Sequence, residues 1–441
     1  MKKIIVLLLT LVLAFFMCAC EQGVKTLEKL ENIELPPLPA ATEDAVPTEE
    51  VPEELVVSAD DADIPEEADE AATVSYEVPE LGDRVIVNIS EVSREEYDPQ
   101  NGEQLILTFS YETPHVTIQD RNDTAQAINE YIAMLDETYY TGNDYGAGTA
   151  LGFNAMLEFA QDNYAYAVGS GEDVNLEFVA SRSVTVGRAD DTVLSLIYDD
   201  YVYTGGQSGQ TVSKGYVFDT QTGERLVLAD LTKDYEAFRT FLVEYLVTDG
   251  EGSGAESTRA EYEEIVNNLL DNGSWYFTND SLVILSSEPE AEGALQNISL
   301  LYSEVNNVID EKWQHWTPAT KGGTGRFDIA RMSDIEDGTV EIIDLVAVGE
   351  EGDEFCLKAD GTVYDVKISS VHYTDAFYET AQLWYASHMS NCAVQLQVPL
   401  PDGMPVIMIS YFSGQKQHNI LLTHNEDGGP ALADDSIEAV G

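Results

Sequence analysis

The strongest constraint on folding is a long acidic segment near the start of the chain. Twenty acidic residues, but only the basic residues Lys25 and Lys29, fall between Glu21 and Asp83, and prolines and alanines fill much of the remainder. Such a composition buries too little apolar area to offset the entropy lost on ordering. We therefore predict that residues 20–83 form a disordered acidic linker and that folded structure begins near Arg84.

The first twenty residues have the pattern of an export signal. Two lysines precede an apolar run from Ile4 to Met17, which ends at Cys18-Ala19-Cys20. The run is shorter than the roughly 18 residues of a spanning helix, and polar sequence follows at once. A cysteine in this place resembles the bacterial lipobox, in which the cysteine is diacylated. We expect a signal peptide over 1–19, a lipid anchor at Cys20, and a location on the extracellular face of the cytoplasmic membrane.

The charge of the chain limits its partners. The formal net charge is −60, and most of it lies beyond the linker, so the folded part is acidic as well. A direct nucleic-acid role is excluded because phosphates would be repelled. Two interpretations stay open. The acidity serves solubility or adaptation to a habitat, or it attracts a cationic partner by electrostatic steering.

Beyond Arg84 the sequence mixes strand and helix patterns. Period-two alternation in RVIVNISEV and in QLILTFSYETPHVTI predicts half-buried strands, and TAQAINEYIAMLDETYY has the apolar spacing of a helix. After the glycines of 321–327, strand-like segments are separated by turn signals such as DGT. We predict an α+β fold with mixed modules over 84–192 and 193–320 and a mostly β domain over 333–430.

The cysteines and histidines give no metal site. Once Cys18 is removed and Cys20 is acylated, an exported location permits a disulfide between Cys356 and Cys392, and two buried unpaired thiols are equally compatible. The six histidines are His115, His315, His372, His388, His418 and His424. No two of them have the i, i+4 spacing of a helical zinc site. We therefore predict neither a metal nor a cofactor.

Three aromatic clusters are candidates for either binding or packing. They are Trp275-Tyr276-Phe277, Trp313 with Trp316, and Trp384-Tyr385. Exposed rings could stack on wall sugars, whereas buried rings would join strands to helices. We favour the buried interpretation.

Two segments resemble modules of envelope proteins. Leu105 to Gly142 resembles the non-catalytic N-terminal module of some peptidoglycan deacetylases. Val193 to Asp310 resembles the extracellular module of lysozyme-sensing anti-sigma factors of Gram-positive bacteria. The second resemblance is carried by Tyr203-Thr204-Gly205-Gly206, Phe218 to Leu231, Phe277 with Asp280-Ser281-Leu282, and Ile298 to Val305. It implies sensing, binding or support at the cell wall.

The chain also departs from these families. The anti-sigma module usually continues its double glycine with a small residue, histidine and glycine, whereas Gln207-Ser208-Gly209 stand here. Only Met1 to Lys3 precede the apolar run, so we expect no sigma-binding segment. No deacetylase domain with its metal-binding aspartate and paired histidines is recognisable. The resemblance therefore implies the non-catalytic part of these proteins.

The glycine-rich segment that follows Tyr203 is the candidate binding segment. Its members are Tyr203, Gly205, Gly206, Gln207, Ser208 and Gly209. Gly206 to Gly209 resembles the nucleophile loop of chymotrypsin-like proteases, but that chemistry needs a histidine base, and only His115 lies upstream. The glycines instead permit a tight turn that presents backbone groups to a partner.

These observations lead to one main hypothesis and two alternatives. The main hypothesis is a non-enzymatic surface lipoprotein that binds or senses a cell wall component or a cationic protein such as lysozyme. The alternative from another class is a wall-active hydrolase or deacetylase with an unrecognised active site. The third is a structural accessory subunit, which a large exposed apolar patch would mark.

Overall fold

The computed structural model describes most of the chain beyond the predicted linker. The described ranges are 82–99, 102–141, 152–170, 177–205, 209–253, 258–285, 297–313, 325–348, 352–373, 378–399, 406–414, 416–425 and 429–434. All of them belong to one compact unit, Ser75–Gly441. The predicted signal peptide, Cys20 and nearly all of the predicted linker lie outside the described residues. None of the described helices has the length and apolar content needed to cross a membrane.

The helices and strands alternate along the first part of the chain. They are β1 (Val85–Tyr97), β2 (Leu105–Ile118), α1 (Asn122–Thr141), α2 (Phe153–Ser170), β3 (Phe178–Ala189), β4 (Val193–Tyr203), β5 (Gln210–Asp219), α3 (Tyr235–Ser253), α4 (Arg259–Asn272), β6 (Ser274–Phe277), β7 (Ser281–Leu285), β8 (Asn297–Leu301) and α5 (Tyr302–Val305). The second part is built from strands. They are β9 (Arg326–Arg331), β10 (Glu341–Ala347), β11 (Asp353–Asp360), β12 (Thr362–Tyr373), β13 (Tyr378–Ser390), β14 (Cys392–Val398), β15 (Ile407–Ser413), β16 (Lys416–His424) and β17 (Pro430–Asp434). The predicted α+β class with a mostly β C-terminal region is confirmed.

A ten-stranded sheet runs through both parts of the molecule. Its order is β17-β16-β15-β12-β13-β1-β2-β3-β4-β5. All neighbours are antiparallel except β2 and β3, which pair in parallel. Strand β1 joins the two halves through a short pairing of Ile86 to Asn88 with β13. The three predicted segments therefore share one sheet, and their boundaries stay predictions of sequence organisation.

Helices α1 and α2 cover one face of the half-sheet β1–β5. Helix α1 turns a buried stripe toward the strands, formed by Ala125, Ile128, Ile132, Leu135 and Tyr139. Met156 and Ala160 of α2 are fully buried against Phe109 and Phe178. We call the face under these helices the inner face of β1–β5 and the opposite one the outer face.

Two smaller sheets complete the unit. Strands β6, β7 and β8 form a meander whose core includes residues of α3 and α4, and every residue of β7 is buried. Thr258 caps the start of helix α4: its side chain accepts a hydrogen bond from the Glu261 N–H, while the Glu261 side chain accepts one from the Thr258 N–H. Strands β10, β14, β11 and β9 form a four-stranded sheet that packs with β12, β13 and β15 in a second core.

Cys356 and Cys392 are both buried and free. Cys356 of β11 lies opposite Gln395 of β14, and Cys392 is three residues from Gln395. Because successive side chains of a strand alternate between faces, the two thiols point to opposite faces of the four-stranded sheet. The disulfide that an exported location would permit is therefore not formed, and the alternative of two buried thiols holds.

Candidate functional site

The strands β1–β5, all of whose residues the structure describes, distribute their basic residues unevenly between the two faces, whereas acids lie on both. Cross-strand partners share a face, so the register identifies the face of each residue. Tyr111, Arg182, Asp200 and Val212 form one row of partners on the inner face. Arg94 and Lys214 belong to neighbouring rows of that same face by the alternation of side chains.

The inner basic groups are held there by specific contacts. Arg182 makes two hydrogen bonds to the Asp200 carboxylate, of 2.6 and 3.1 Å, with 7% and 2% of the two side chains exposed. Its guanidinium also lies 3.8 Å from the centre of the Tyr139 ring. The Arg94 guanidinium lies 4.3 Å from the centre of the Phe153 ring. The buried charge of Arg182 needs such partners and is not free to turn outward, whereas Arg94 is about half exposed and pairs with Glu96.

The outer face consequently carries acids without bases over its uncovered part. We call this region the acidic face, and its residues are Glu91, Ser93, Glu95, Thr108, Ser110, Glu112, Val179, Ser181, Ser183, Asp199, Tyr201, Tyr203, Thr211 and Ser213. Each of these side chains is exposed or half-buried. The remaining basic residue of the five strands, Arg188, is completely buried beneath β6–β8.

One row across the acidic face consists of hydroxyl groups alone. Its members on β1 to β5 are Ser93, Ser110, Ser181, Tyr201 and Thr211. In the next row, Glu91 pairs with Glu112, and Asp199 lies between Ser183 and Ser213. The Ser213 hydroxyl donates a hydrogen bond to Asp199. The face therefore offers carboxylate acceptors together with hydroxyls that can donate or accept.

Glu112 has an altered affinity for its proton. It lies where β2 separates from β3, and its Oε2 accepts the Val184 N–H at 2.6 Å. Burial raises the pKa of Glu112 to about 7; the bond from Val184 opposes this change, and the charge of Glu91 adds to it. The carboxyl thus exchanges its proton near neutral pH, beside a second acid.

The candidate binding segment lies at one end of the acidic face. Tyr203 is on the face itself, and Gly205 adopts a positive φ of 87° in the turn that follows. A Cβ atom on Gly209 would come within 2.3 Å of the Tyr201 ring, so the backbone there lies directly on the ring. Three further members, Gly206, Gln207 and Ser208, lie outside the described residues. The sequence identified the rim of this surface and missed the carboxylates of β1, β2 and β4, which only the register brings together.

The aromatic clusters lie mostly in the cores. Trp275, Phe277 and Trp313 belong to the core of β6–β8, and Trp384 and Tyr385 are fully buried in β13. Trp316 lies outside the described residues. Tyr276 is half-buried, and burial together with the nearby Asp199 carboxylate raises its pKa. The buried interpretation therefore holds for these rings, and Tyr276 borders the acidic face.

A groove between β2 and α1 lies elsewhere, and side chains prevent another strand from pairing with the backbone there. It has a volume of about 480 Å³ between β2 and α1, and His115 and Gln126 contribute to its lining. Asn129 of α1 bonds both the N–H and the C=O of Val116 at 2.8 Å. Pro114 has no N–H to offer. Among the described residues, no group of three or more histidines, cysteines or acids could hold a metal ion.

Comparison with other proteins gives likeness in structure alone. No protein-family model matches the chain, and no curated protein matches its sequence. Part of the chain is similar to solved DUF3298 structures. A DUF3298 family member from Bacteroides fragilis is 14% identical, with a TM-score of 0.36, over 51% of this chain and 94% of that one. A DUF3298 family protein from Pseudomonas aeruginosa is 13% identical, with a TM-score of 0.31, over 51% and 95%.

Proposed function

We propose that this protein is a non-enzymatic lipoprotein, anchored through Cys20 outside the cytoplasmic membrane, that binds a cationic ligand through the acidic face. The observation that carries the proposal is the uneven distribution of basic residues between the two faces of β1–β5. Arg94, Arg182 and Lys214 are turned to the inner face, while Glu91, Glu95, Glu112 and Asp199 point outward. If these acids served solubility alone, basic residues could lie among them, yet the acidic face contains none.

The ligand class follows from the chemistry of the surface. A net charge of −60 speeds encounter with a basic protein, and the carboxylates orient that protein on arrival. Tyr201, Tyr203 and the exposed Tyr97 add ring area that can pack against the ligand. A basic protein such as lysozyme fits this combination, and the sequence resemblance to lysozyme-sensing ectodomains favours the same partner. Cell wall glycan is the other ligand in the proposal, since tyrosine rings stack on sugars and carboxylates accept hydroxyl hydrogen bonds.

The test compares two variants of equal charge. Glu91→Gln, Glu95→Gln and Asp199→Asn together neutralise the acidic face, and these amides keep an acceptor at each position. The control is Glu158→Gln, Glu341→Gln and Glu354→Gln, three exposed acids on α2, β10 and β11. Lysozyme binding to the protein without its signal peptide is measured at about 50 mM and about 300 mM salt, where the Debye length is roughly 14 Å and 6 Å.

We expect the first variant to weaken binding at low salt about tenfold or more, and the control about twofold or less. High salt should reduce binding of the unchanged protein. An equal loss in both variants would place the site elsewhere. If lysozyme does not bind at low salt, lysozyme is excluded as the ligand. Wall glycan then remains as the proposed ligand and is tested with soluble wall fragments.

One observation favours the hydrolase as the second candidate. Glu91 and Glu112 are direct cross-strand partners, and the pKa of Glu112 is raised to about 7. Two carboxyls with different proton affinities are the groups that glycosidases use as acid and base. Release of soluble sugars from wall fragments that disappears in both Glu91→Gln and Glu112→Gln would favour this alternative over simple binding.

A further inference from the structure

At several places along the strands, a side chain bonds backbone groups that do not take part in strand pairing, and three strands of the ten-stranded sheet illustrate this. Asn129 bonds Val116 on β2, as described above. On β3, Glu112 accepts the Val184 N–H and Gln382 accepts the Val186 N–H. On β5, the Ser274 hydroxyl accepts the Gly215 N–H at 2.7 Å and donates to its C=O at 3.3 Å. Unpaired strand edges attract other strands, and these side chains prevent such pairing.

The contact at Gly215 also fixes the direction of its neighbours. Strand β5 is an edge of the ten-stranded sheet, and its pairing with β4 has no register shift. Backbone groups of alternate residues point to the same side of a strand. Because the Gly215 N–H and C=O point away from β4, those of Thr211 and Ser213 do so too. Within the part of the chain that the structure describes, no side chain or strand pairs with them.

This open edge adjoins the acidic face. Gln210 and Thr211 are exposed, and the side chains of Thr211 and Ser213 lie on that face beside Tyr201 and Asp199. A strand added to β5 would direct alternate side chains over the same face. Lysine or arginine at those positions would extend across β5 toward Asp199 on β4, and no base of β5 would oppose them there.

The geometry points to the edge of β5 at Thr211 and Ser213 as the place where an extended segment of a partner adds as a further strand, with basic residues at alternate positions. This inference rests on the proposed cationic ligand, and it specifies the mode of binding. A second copy of the chain does not fit, because pairing two β5 edges would bring two acidic faces together. The partner is therefore a basic extended peptide segment.

The probe is a short blocked peptide of alternating lysine and threonine, applied to the protein without its signal peptide. Its first control has the same sequence with N-methyl groups on alternate backbone amides, which removes the donors while the charge stays. Thr211→Pro removes the outward N–H of β5, and the N–H bonds to β4 belong to the neighbouring residues. Thr211→Val is the matched variant that keeps the N–H. Thermal unfolding of both variants checks that the sheet is intact.

We expect the unmodified peptide to slow hydrogen exchange at the Thr211 and Ser213 amides and to bind Thr211→Val about as well as the unchanged protein. Thr211→Pro and the N-methylated peptide should each weaken binding about tenfold or more. If the N-methylated peptide binds as well as the unmodified one, or if Thr211→Pro binds the peptide as well as the unchanged protein, the strand-addition mode is overturned. This holds even where neutralising the acidic face weakens binding. Binding that depends on Thr211 but not on the carboxylates would retain the edge and contradict the proposed function instead.

Discussion

Arg188 and Asp190 form an ion pair that is closed off from solvent, with Nη2 2.8 Å from Oδ2 and only 1% and 5% of the two side chains exposed. Arg188 also donates to the Tyr302 hydroxyl at 3.0 Å and to the Trp313 carbonyl at 2.5 Å. Asp190 in turn accepts the Thr192 N–H at 2.8 Å. The pair therefore ties the end of β3 to α5 and to the segment after it.

Removing one partner of this pair should destabilise the whole unit. Arg188→Ala leaves a buried carboxylate without its counter-charge, and breaking a buried pair in this way costs about 3–5 kcal/mol. Arg259→Gln is the control, because its pair with Glu244 is about half exposed on both sides and such exposed pairs contribute little to stability. Urea unfolding measures both. A cost for Arg188→Ala no larger than that of the control would show that the pair is not structural.

The pH dependence of stability should carry the signature of Glu112. Its pKa is raised from 4.5 to about 7 in the folded protein, so the folded state holds this proton at a pH where the unfolded chain has released it. Stability therefore falls as the pH rises between these values, and below about pH 4 this carboxyl contributes no pH dependence. Glu112→Gln keeps an acceptor for the Val184 N–H and removes the titration.

We expect Glu112→Gln to raise the free energy of unfolding at about pH 8 by roughly 1–2 kcal/mol, with little change at about pH 4, after allowance for the partial exposure of the group. Denaturation of both proteins across this pH range makes the comparison. The exposed partner Glu91, changed to Gln, is the control and should remove only part of the slope. Parallel curves for Glu112→Gln and the unchanged protein would contradict the assignment.

Where the apolar periodicity is strong, the sequence predicts strands and helices well. It predicts less well which side chains of a helix face the core. The helix over TAQAINEYIAMLDETYY is present, but an apolar stripe drawn through Tyr131 and Met134 would place Met134 in the core, whereas its side chain is 49% exposed. Ile132, which lies four residues after the buried Ile128, is buried in its place. Both stripes fit a helical period, and the packing of α1 against β1 and β2 decides which one faces the core.

The candidate site could be predicted only at its rim. Tyr203 and the glycines after it mark a turn by their local sequence. Glu91, Glu112 and Asp199 are far apart in the chain and look like ordinary solvated acids, because no local rule gives the register of β1, β2, β3 and β4. The hydrogen bonds between Asn129 and the Val116 backbone could not be predicted from the sequence either, since they depend on where α1 lies beside the edge of β2.

Asn129 should matter for both stability and solubility. Asn129→Ala leaves the Val116 N–H and C=O without their partner, and a part-buried unpaired backbone group costs about 1–3 kcal/mol. It also opens the β2 edge to other chains, so aggregation on mild heating should increase. Gln126→Ala is the control, since the hydrogen bond that Gln126 makes among the described residues is to the exposed Glu130 one turn away. Similar melting and aggregation of the two variants would deny Asn129 this role.

Two glycines give the last test, because they predict opposite effects for the same substitution. A Cβ atom on Gly215 would come within 2.0 Å of the Trp275 carbonyl oxygen, which is backbone and cannot turn away. Gly215→Ala should therefore push β6 off β5, disturb the Ser274 contact and lower the free energy of unfolding by about 2 kcal/mol or more. Gly169 lies in α2 and has no atom within 4 Å of its added Cβ, so Gly169→Ala should be neutral or stabilising by up to about 1 kcal/mol. Urea unfolding of the two variants measures the difference. If Gly215→Ala is as stable as Gly169→Ala, then β6–β8 does not pack on β5 as described and does not cover this part of the outer face.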